Sequence, residues 1–257
     1  MSKLAAIVPA FNEARTIRDV VVRALREVPC LIVVDDGSTD GTAQALEGLA
    51  VTVLRNERNC GKAASLMQGM DHALAQGAQA VITLDGDGQH RPEDIPLLVS
   101  VHRKEPQALV IGSRLHDRAN IPLSRYLANR FANFWIAWAA GQPIADSQSG
   151  LRLYPATLLR EFGRRPEPAP GFVFESEILI EAGRRGVPLT DVVVAAIYPE
   201  RARRSYFRPV LDITRIARMI AWKLLARGFY LPGLVRSLQH HTRSQVVPQA
   251  REGGEAR

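Results

Sequence analysis

At 257 residues, 46% of them hydrophobic and 23% charged, the chain has the length and composition of one large globular α/β domain, which excludes a disordered or fibrous protein. No stretch reaches the ~18 uncharged apolar residues of a spanning helix, and MSKLAAIVPAFNE at the N-terminus lacks the apolar run and cleavage site of a secretory signal. The net charge of +7 is unevenly distributed, because residues 201–257 hold 12 basic and 3 acidic residues, a balance of +9, and leave residues 1–200 at −2. Such asymmetry points to an anionic partner, either lipid phosphate or nucleic acid. Cys30 and Cys60 have neither metal-ligand spacing nor a partner set for a disulfide framework, so free thiols in a reducing cytoplasm are expected.

In chain order, Leu4–Pro9 reads as a short apolar strand and Thr16–Val28 as an amphipathic helix. The strand Leu31–Asp35 follows with a helix over Asp40–Ala50, then Val51–Arg55 with a helix over Gly61–Gln76. Ala80–Leu84 precedes a helix over Pro92–Lys104, and Leu109–Gly112 completes the run. Short strands alternating with longer helices predict βαβ units and a mostly parallel, Rossmann-like sheet. Beyond it the pattern predicts an aromatic-rich helix over Ser124–Ala140, a strand over Ser147–Tyr154 and a short helix after Pro155. A helix over Phe174–Gly186, a strand over Leu189–Tyr198 and a last helix over Phe207–Phe229, stopped before Pro232, follow. The polar tail from about His240 is expected to be disordered.

Ligands of such sheets bind at the carboxyl ends of the strands. There the sequence places Pro9 through Glu13, Asp35 through Asp40, Asn59 through Lys62, Asp85 through His90, and Ser113-Arg114. Asp85-Gly86-Asp87 is the sharpest of these signals. Two carboxylates one residue apart on a glycine turn can approach one hard divalent cation, with a diphosphate completing the shell. A surface Asp-Gly turn is the plain alternative. An EF-hand does not fit, because a strand precedes the loop and Pro96 stands where its glutamate is needed. Asp36 at its strand end can hold a ribose or base, while Asp40 or Thr39 caps the next helix. Lys62 is either a phosphate contact or a solvent lysine.

These four motifs, with Gly112-Ser113-Arg114, Asp146-Ser147-Gln148-Ser149-Gly150 and Phe174-Glu175-Ser176-Glu177, resemble family 2 glycosyltransferases over roughly residues 4–212. The likeness is nearest to the polyprenyl-phosphate sugar synthases. The resemblance implies a GT-A fold, a UDP- or GDP-sugar donor, Mg²⁺ or Mn²⁺, and a lipid-linked phosphate acceptor. By the same resemblance Pro9, Phe11, Glu13 and Asp36 contact the nucleotide, with Phe11 where the family more often has Tyr. Asp85 serves the ribose side and the metal, Asp87 the metal itself, and Gln89 a further metal-side position. Arg114 and Arg125 face phosphate. Transfer to a hydroxyl would need a carboxylate base. Asp146 is the first candidate and Glu177 the second, each with capping or ion pairing as its alternative.

The chain is expected to divide into residues 1–204 as the GT-A domain, 205–236 as a basic amphipathic membrane-associating helix and 237–257 as the tail. In that helix Ile213, Ala217, Ile220 and Leu224 form one apolar face, with Arg208, Asp212, Arg215, Lys223 and Arg227 mainly opposite, and packing on its own domain with a solvated basic face is the plain alternative. Leu127, Phe131, Phe134 and Trp138 repeat the spacing near Arg125 and Arg130. Peripheral association with an anionic, cytoplasmic membrane face is the expectation. Rival readings are transfer to a hydroxyl of a glycolipid or glycan, and a non-catalytic nucleotide-sugar-binding module. Nucleic acid is not an expected partner, because no recognition motif accompanies the basic end. The sequence carries no signal for an oligomeric state.

Overall fold

Leu4–Ala10 forms the strand β1, and its two-residue period sends Ala5 and Ile7 into one apolar core and Ala6, Val8 and Ala10 into another. The same division repeats in β2 (Leu31–Asp35), where Ile32 and Val34 join the first core and Leu31 and Val33 the second. A strand buried on both faces must be apolar throughout. The computed structural model describes residues 3–115, 121, 123–162, 173–195, 197, 209–239 and 244–245.

The remaining strands are β3 (Thr52–Arg55), β4 (Ala80–Thr83), β5 (Leu109–Ser113), β6 (Arg152–Pro155), β7 (Leu189–Val193) and β8 (Ser244–Gln245). Among the described residues they form one eight-stranded sheet in the order β3-β2-β1-β4-β6-β5-β7-β8. β6 runs antiparallel to both neighbours, β4 and β5, and every other pairing is parallel. On the second core lie α1 (Ile17–Glu27) and α3 (Ile95–Lys104). The first is covered by α2 (Lys62–Ala75), α4 (Leu123–Ala140), α5 (Ala156–Phe162), α6 (Val173–Arg184) and α7 (Pro209–Leu225), with α8 (Leu231–Gln239) against α4.

Several expectations change. No α-helix spans Asp40–Ala50. Only a 3-10 turn forms, at Gln44–Leu46, because Gly41 (φ 90°) and Gly48 (φ 78°) leave too few residues for a stable helix between them. The Asp40 carboxylate instead accepts from the Thr42 hydroxyl (2.6 Å) and the Ala14 amide (3.1 Å), binding two loops together. The strand expected over Ser147–Tyr154 begins at Arg152, and the one over Leu189–Tyr198 ends at Val193. Pro232 does not follow the last helix. It sits in the first turn of α8, where its missing N–H has no intrahelical acceptor to lose. Two residues of the polar tail, Ser244 and Gln245, pair with Asp191 and Val192 of β7.

The apolar stripe read on α7 divides. Ile220 and Leu224 are buried in the core, whereas Ile213 is 57% exposed. Of the twelve large hydrophobic side chains exposed among the described residues, eleven lie on α4, α7, α8 and the turn before α8. On α4 these are Leu123, Leu127, Phe131 and Phe134, and on α8 Leu231, Val235 and Leu238, at one-turn spacings. The Trp138 indole donates to the carbonyls of Phe229 (3.0 Å) and Tyr230 (3.2 Å), fixing that turn to α4. Among the described residues no helix is long and apolar enough to cross a membrane.

Candidate active site

The carboxyl ends of β1, β2 and β4 meet at one edge, and short turns keep their side chains there. After β1 the chain turns at Asn12 (φ 55°), whose amide donates to Ser38 Oγ (2.8 Å) and whose side-chain oxygen accepts from the Thr39 amide (2.8 Å). The Glu13 amide donates to Thr42 Oγ1 (2.8 Å), so Pro9, Phe11 and Glu13, all half-buried, are locked against the loop after β2. Gly37 (φ 74°) is required in that loop, because a Cβ would meet the Arg58 backbone at 2.6 Å.

Asp36 is 3% exposed. One carboxylate oxygen accepts from Asn56 Nδ2 (2.8 Å) and the Cys60 amide (2.9 Å), and the other from the Gly61 amide (2.7 Å). It thereby fixes the loop that starts α2, which brings Lys62 to the centre of the site. Lys62 Nζ lies 2.7 Å from Asp85 Oδ1 and 3.1 Å from Glu175 Oε1. Burial alone would lower the lysine pKa, but the two carboxylates outweigh it and hold the ammonium above its ordinary range. For Asp85 burial works upward, and the Lys62 charge, foremost among the neighbouring cations, overrides it and brings the carboxyl to about 2. His90 Nε2 stands 3.9 Å from Asp85, and burial followed by the Arg114 charge pushes the imidazole down to about 4, neutral at pH 7.

Asp87 is different. Burial, and next the negative charge of Asp85, raise its pKa. Of the two, Asp87 is the carboxylate whose charge a further cation would relieve. Hard oxygens on one turn with surplus negative charge fit Mg²⁺ or Mn²⁺. Among the described residues no cluster of three or more Asp, Glu, His or Cys side chains could hold a metal by itself. Two carboxylates leave most of the shell to ligands from outside the protein. Gln89 turns its amide toward Asp87, donating from Nε2 to Oδ2 (2.8 Å) while its main-chain N–H donates to Oδ1 (2.9 Å), so it buttresses the carboxylate.

On the other side of Asp85, the segment entering β6 is fully buried at Asp146. Asp146 Oδ2 accepts from the Arg114 amide (3.1 Å) and Nε (3.4 Å), and Oδ1 accepts from the Gln148 amide (3.1 Å). Arg114 Nη2 also donates to the Gln148 carbonyl (3.2 Å). The first base candidate is thus engaged in aiming Arg114. The second, Glu177, lies 3.1 Å from Lys223 of α7, which also bonds Glu181 at 2.6 Å. Glu177 therefore faces another helix, and Glu175 is the acid of α6 that joins Lys62. Two positions apart on a helix means opposite faces, a phase that the apolar residues Phe174, Ile178 and Leu179 could have set from the sequence. The side chain of Arg125 lies outside the described residues. Glu175, quoted in the sequence only as part of a motif, and the buried Arg152 are contributors to the site to which the sequence reading gave no role.

The model of glycosyl transferase family 2 matches residues 5–161. The dolichyl-phosphate N-acetylglucosaminyltransferase of Methanococcus voltae, which takes its sugar from UDP-N-acetylglucosamine, is 29% identical over 76% of this chain and 85% of its own. The undecaprenyl-phosphate mannosyltransferase of Micrococcus luteus is 26% identical over 88% and 96%. Among solved structures, glucosyl-3-phosphoglycerate synthase of Mycobacterium tuberculosis, crystallised with Mn²⁺, UDP and glucosyl-3-phosphoglycerate, superposes with a TM-score of 0.61 at 23% identity over 88% of this chain and 80% of that one. That likeness establishes the GT-A fold.

Proposed function

Because this chain belongs to glycosyl transferase family 2, we propose that it moves a sugar from a UDP- or GDP-sugar to the phosphate of a polyprenyl phosphate, with inversion at the anomeric carbon. The observation that carries this reading is the meeting of Lys62, Asp85, Asp87 and Arg114 at one sheet edge, in a molecule whose exposed apolar side chains gather on three basic helices. The relatives acting on dolichyl and undecaprenyl phosphate support the acceptor class.

In this reading Pro9, Phe11, Glu13 and the loop ordered by Asp36 receive the nucleotide. Asp87, with Asp85 beside it, would hold Mg²⁺ or Mn²⁺, which when bound would neutralise charge on the departing diphosphate. Lys62 stays charged and within reach of the same region. Arg114, aimed by Asp146, binds the acceptor phosphate. A phosphate oxygen attacks the anomeric carbon on the face opposite the diphosphate, so one C–O bond forms as another breaks. With its second pKa near about 6 the acceptor arrives already anionic, and no carboxylate has to remove a proton. Asp146 and Glu177 consequently act in orientation and helix packing.

The acceptor's lipid also accounts for the apolar surface. Residues 123–140 and 209–239 contain seven basic residues and one acid, Asp212. Apolar rows with cations and hardly an acid suit peripheral binding to an anionic, cytoplasmic membrane face. A groove of about 580 Å³, lined by Val173, Arg215, Arg218, Met219, Ala221, Trp222 and Leu225, opens on that side. Incubation with a panel of UDP- and GDP-sugars, Mn²⁺ and a short polyprenyl phosphate, read by mass spectrometry, tests the function. A glycosyl-phosphoprenol product is expected. Donor binding without any product on a phosphoprenol, but with product on a glycolipid hydroxyl, would overturn the acceptor assignment.

A further inference from the structure

Arg152 lies on β6, within the sheet, and is 1% exposed. A buried guanidinium is costly unless its donors are satisfied. This one donates from Nε to the Ser149 carbonyl (2.8 Å), from Nη2 to the Ser147 carbonyl (2.8 Å) and from Nη1 to the Glu175 carbonyl (2.7 Å), with the Tyr154 hydroxyl at 3.4 Å. These bonds go to main-chain carbonyls and a phenol, so the planar fork holds two separate stretches of backbone in fixed relation. One is the loop entering β6 and the other is the first turn of α6.

Both stretches end on the same carboxylate. Gly150, in the first, is pressed so closely on Asp85 that a Cβ would come within 2.3 Å of Asp85 Oδ2, and its carbonyl accepts from Thr83 Oγ1 (2.8 Å). In the second, the Glu175 side chain reaches Lys62, whose ammonium lies 2.7 Å from Asp85 Oδ1. We infer that Arg152 is a positioning residue for Asp85, setting the place of that carboxylate through the 147–150 loop and through Glu175–Lys62, without itself meeting the donor. The consequence for catalysis rests on the function proposed above, whereas the positioning itself does not.

Hydrogen exchange read by mass spectrometry on the full chain tests the positioning directly. Arg152→Met should speed exchange by about tenfold or more in peptides spanning 146–151 and 84–89, and leave peptides of β2 and α1 unchanged. Arg152→Lys, which keeps the charge without the fork, should fall between Met and the parent. Acceleration spread evenly over the molecule, or confined to β6, would overturn the inference and leave Arg152 a general stabiliser. The second arm measures UDP binding against Mn²⁺ concentration by calorimetry. The half-saturating Mn²⁺ should rise roughly tenfold to a hundredfold in Arg152→Met, as for other changes one shell away from a metal ligand. Gly150→Ala, which displaces Asp85 with Arg152 intact, should give the same rise and guards against an Arg152 variant that does not fold. Unchanged Mn²⁺ dependence in both variants would also overturn it. A parent chain that binds no UDP with Mn²⁺ would remove the functional reading, and hydrogen exchange would still decide the role of Arg152.

Discussion

The strand ends of β1, β2 and β4 and the helices α4, α7 and α8 treat the same physical chemistry in opposite ways. At the end of β2 and in the loop entering β6, acids are drawn inward: Asp35, Asp36 and Asp146 are 0–3% exposed, and each carboxylate orders a neighbouring loop. On the three helices apolar side chains are turned outward, with Phe131 66% and Trp222 73% exposed. Burying charge and exposing hydrocarbon both oppose folding. The function proposed above assigns the two places two kinds of ligand: a charged one at the sheet edge and an apolar one on the helices.

The largest effect should come from breaking the charged half. Asp87→Ala should lower turnover by roughly a hundredfold to a thousandfold with the melting temperature preserved, since the group acts where charge develops. Chelation of the parent should do the same. Chelator-resistant activity in that variant would end the metal assignment.

Breaking the apolar half should leave donor binding intact. Glutamates at Phe131 and Leu238, or at Arg215, Arg218 and Arg236, should release the protein from anionic liposomes. Each cation lost there is worth about 1 kcal/mol. Parent binding should itself fade toward molar salt, where the Debye length is ~3 Å. Co-sedimentation checks both, and variants that sediment like the parent would make the surface part of an assembly or of the fold.

A smaller change is expected from Asp36→Ala, which removes an acceptor of three hydrogen bonds at the start of α2 and should weaken nucleotide binding by about 1–3 kcal/mol. Calorimetry with the nucleotide that binds the parent best is the measurement.

The smallest is a pH effect on stability. His90, lowered from 6.5 to about 4, and His102, lowered by burial, bind fewer protons folded than unfolded. Their contribution is complete above about pH 6.5 and is lost as pH falls toward 4. Urea midpoints at pH 7.5 and 5.0 should show the decline, and His90→Gln with His102→Gln should flatten it.

Much of the charged half was legible in the sequence, because each motif follows directly on a run such as LIVVD or AVITL and the strand period places it. Local order was the weaker part: the sequence did not show that Asp36 also orders the loop to Lys62, nor which partner, Arg114, takes up the ion pairing that was the alternative for Asp146. Such roles depend on partners 20 to 32 residues away, and no local pattern encodes them. The direction of β6 was not legible, since a reversed strand has the same two-residue period. On α7 the stripe was correct as a pattern, but periodicity does not say which face meets protein. Ile220 and Leu224 turn inward, and Ile213, Trp222 and Leu225 of the same helix stay outside beside the exposed residues of α4 and α8.

The strand order also sets a timetable for the nascent chain. β1 to β4 pair with one another, so the first four strands can close as soon as residue 83 is made. β5 cannot join them, because its place in the sheet lies beyond β6, and its neighbours are residues 152–155 and 189–193. Until those are synthesised, Leu109-Val110-Ile111 has both edges unpaired, with α3 available to cover one face and the other, which α4 and α6 later cover, exposed. At ~5–20 residues per second the wait for β6 is a few seconds. During that interval β5 is the segment where a chaperone would bind, and where aggregation would start if none did.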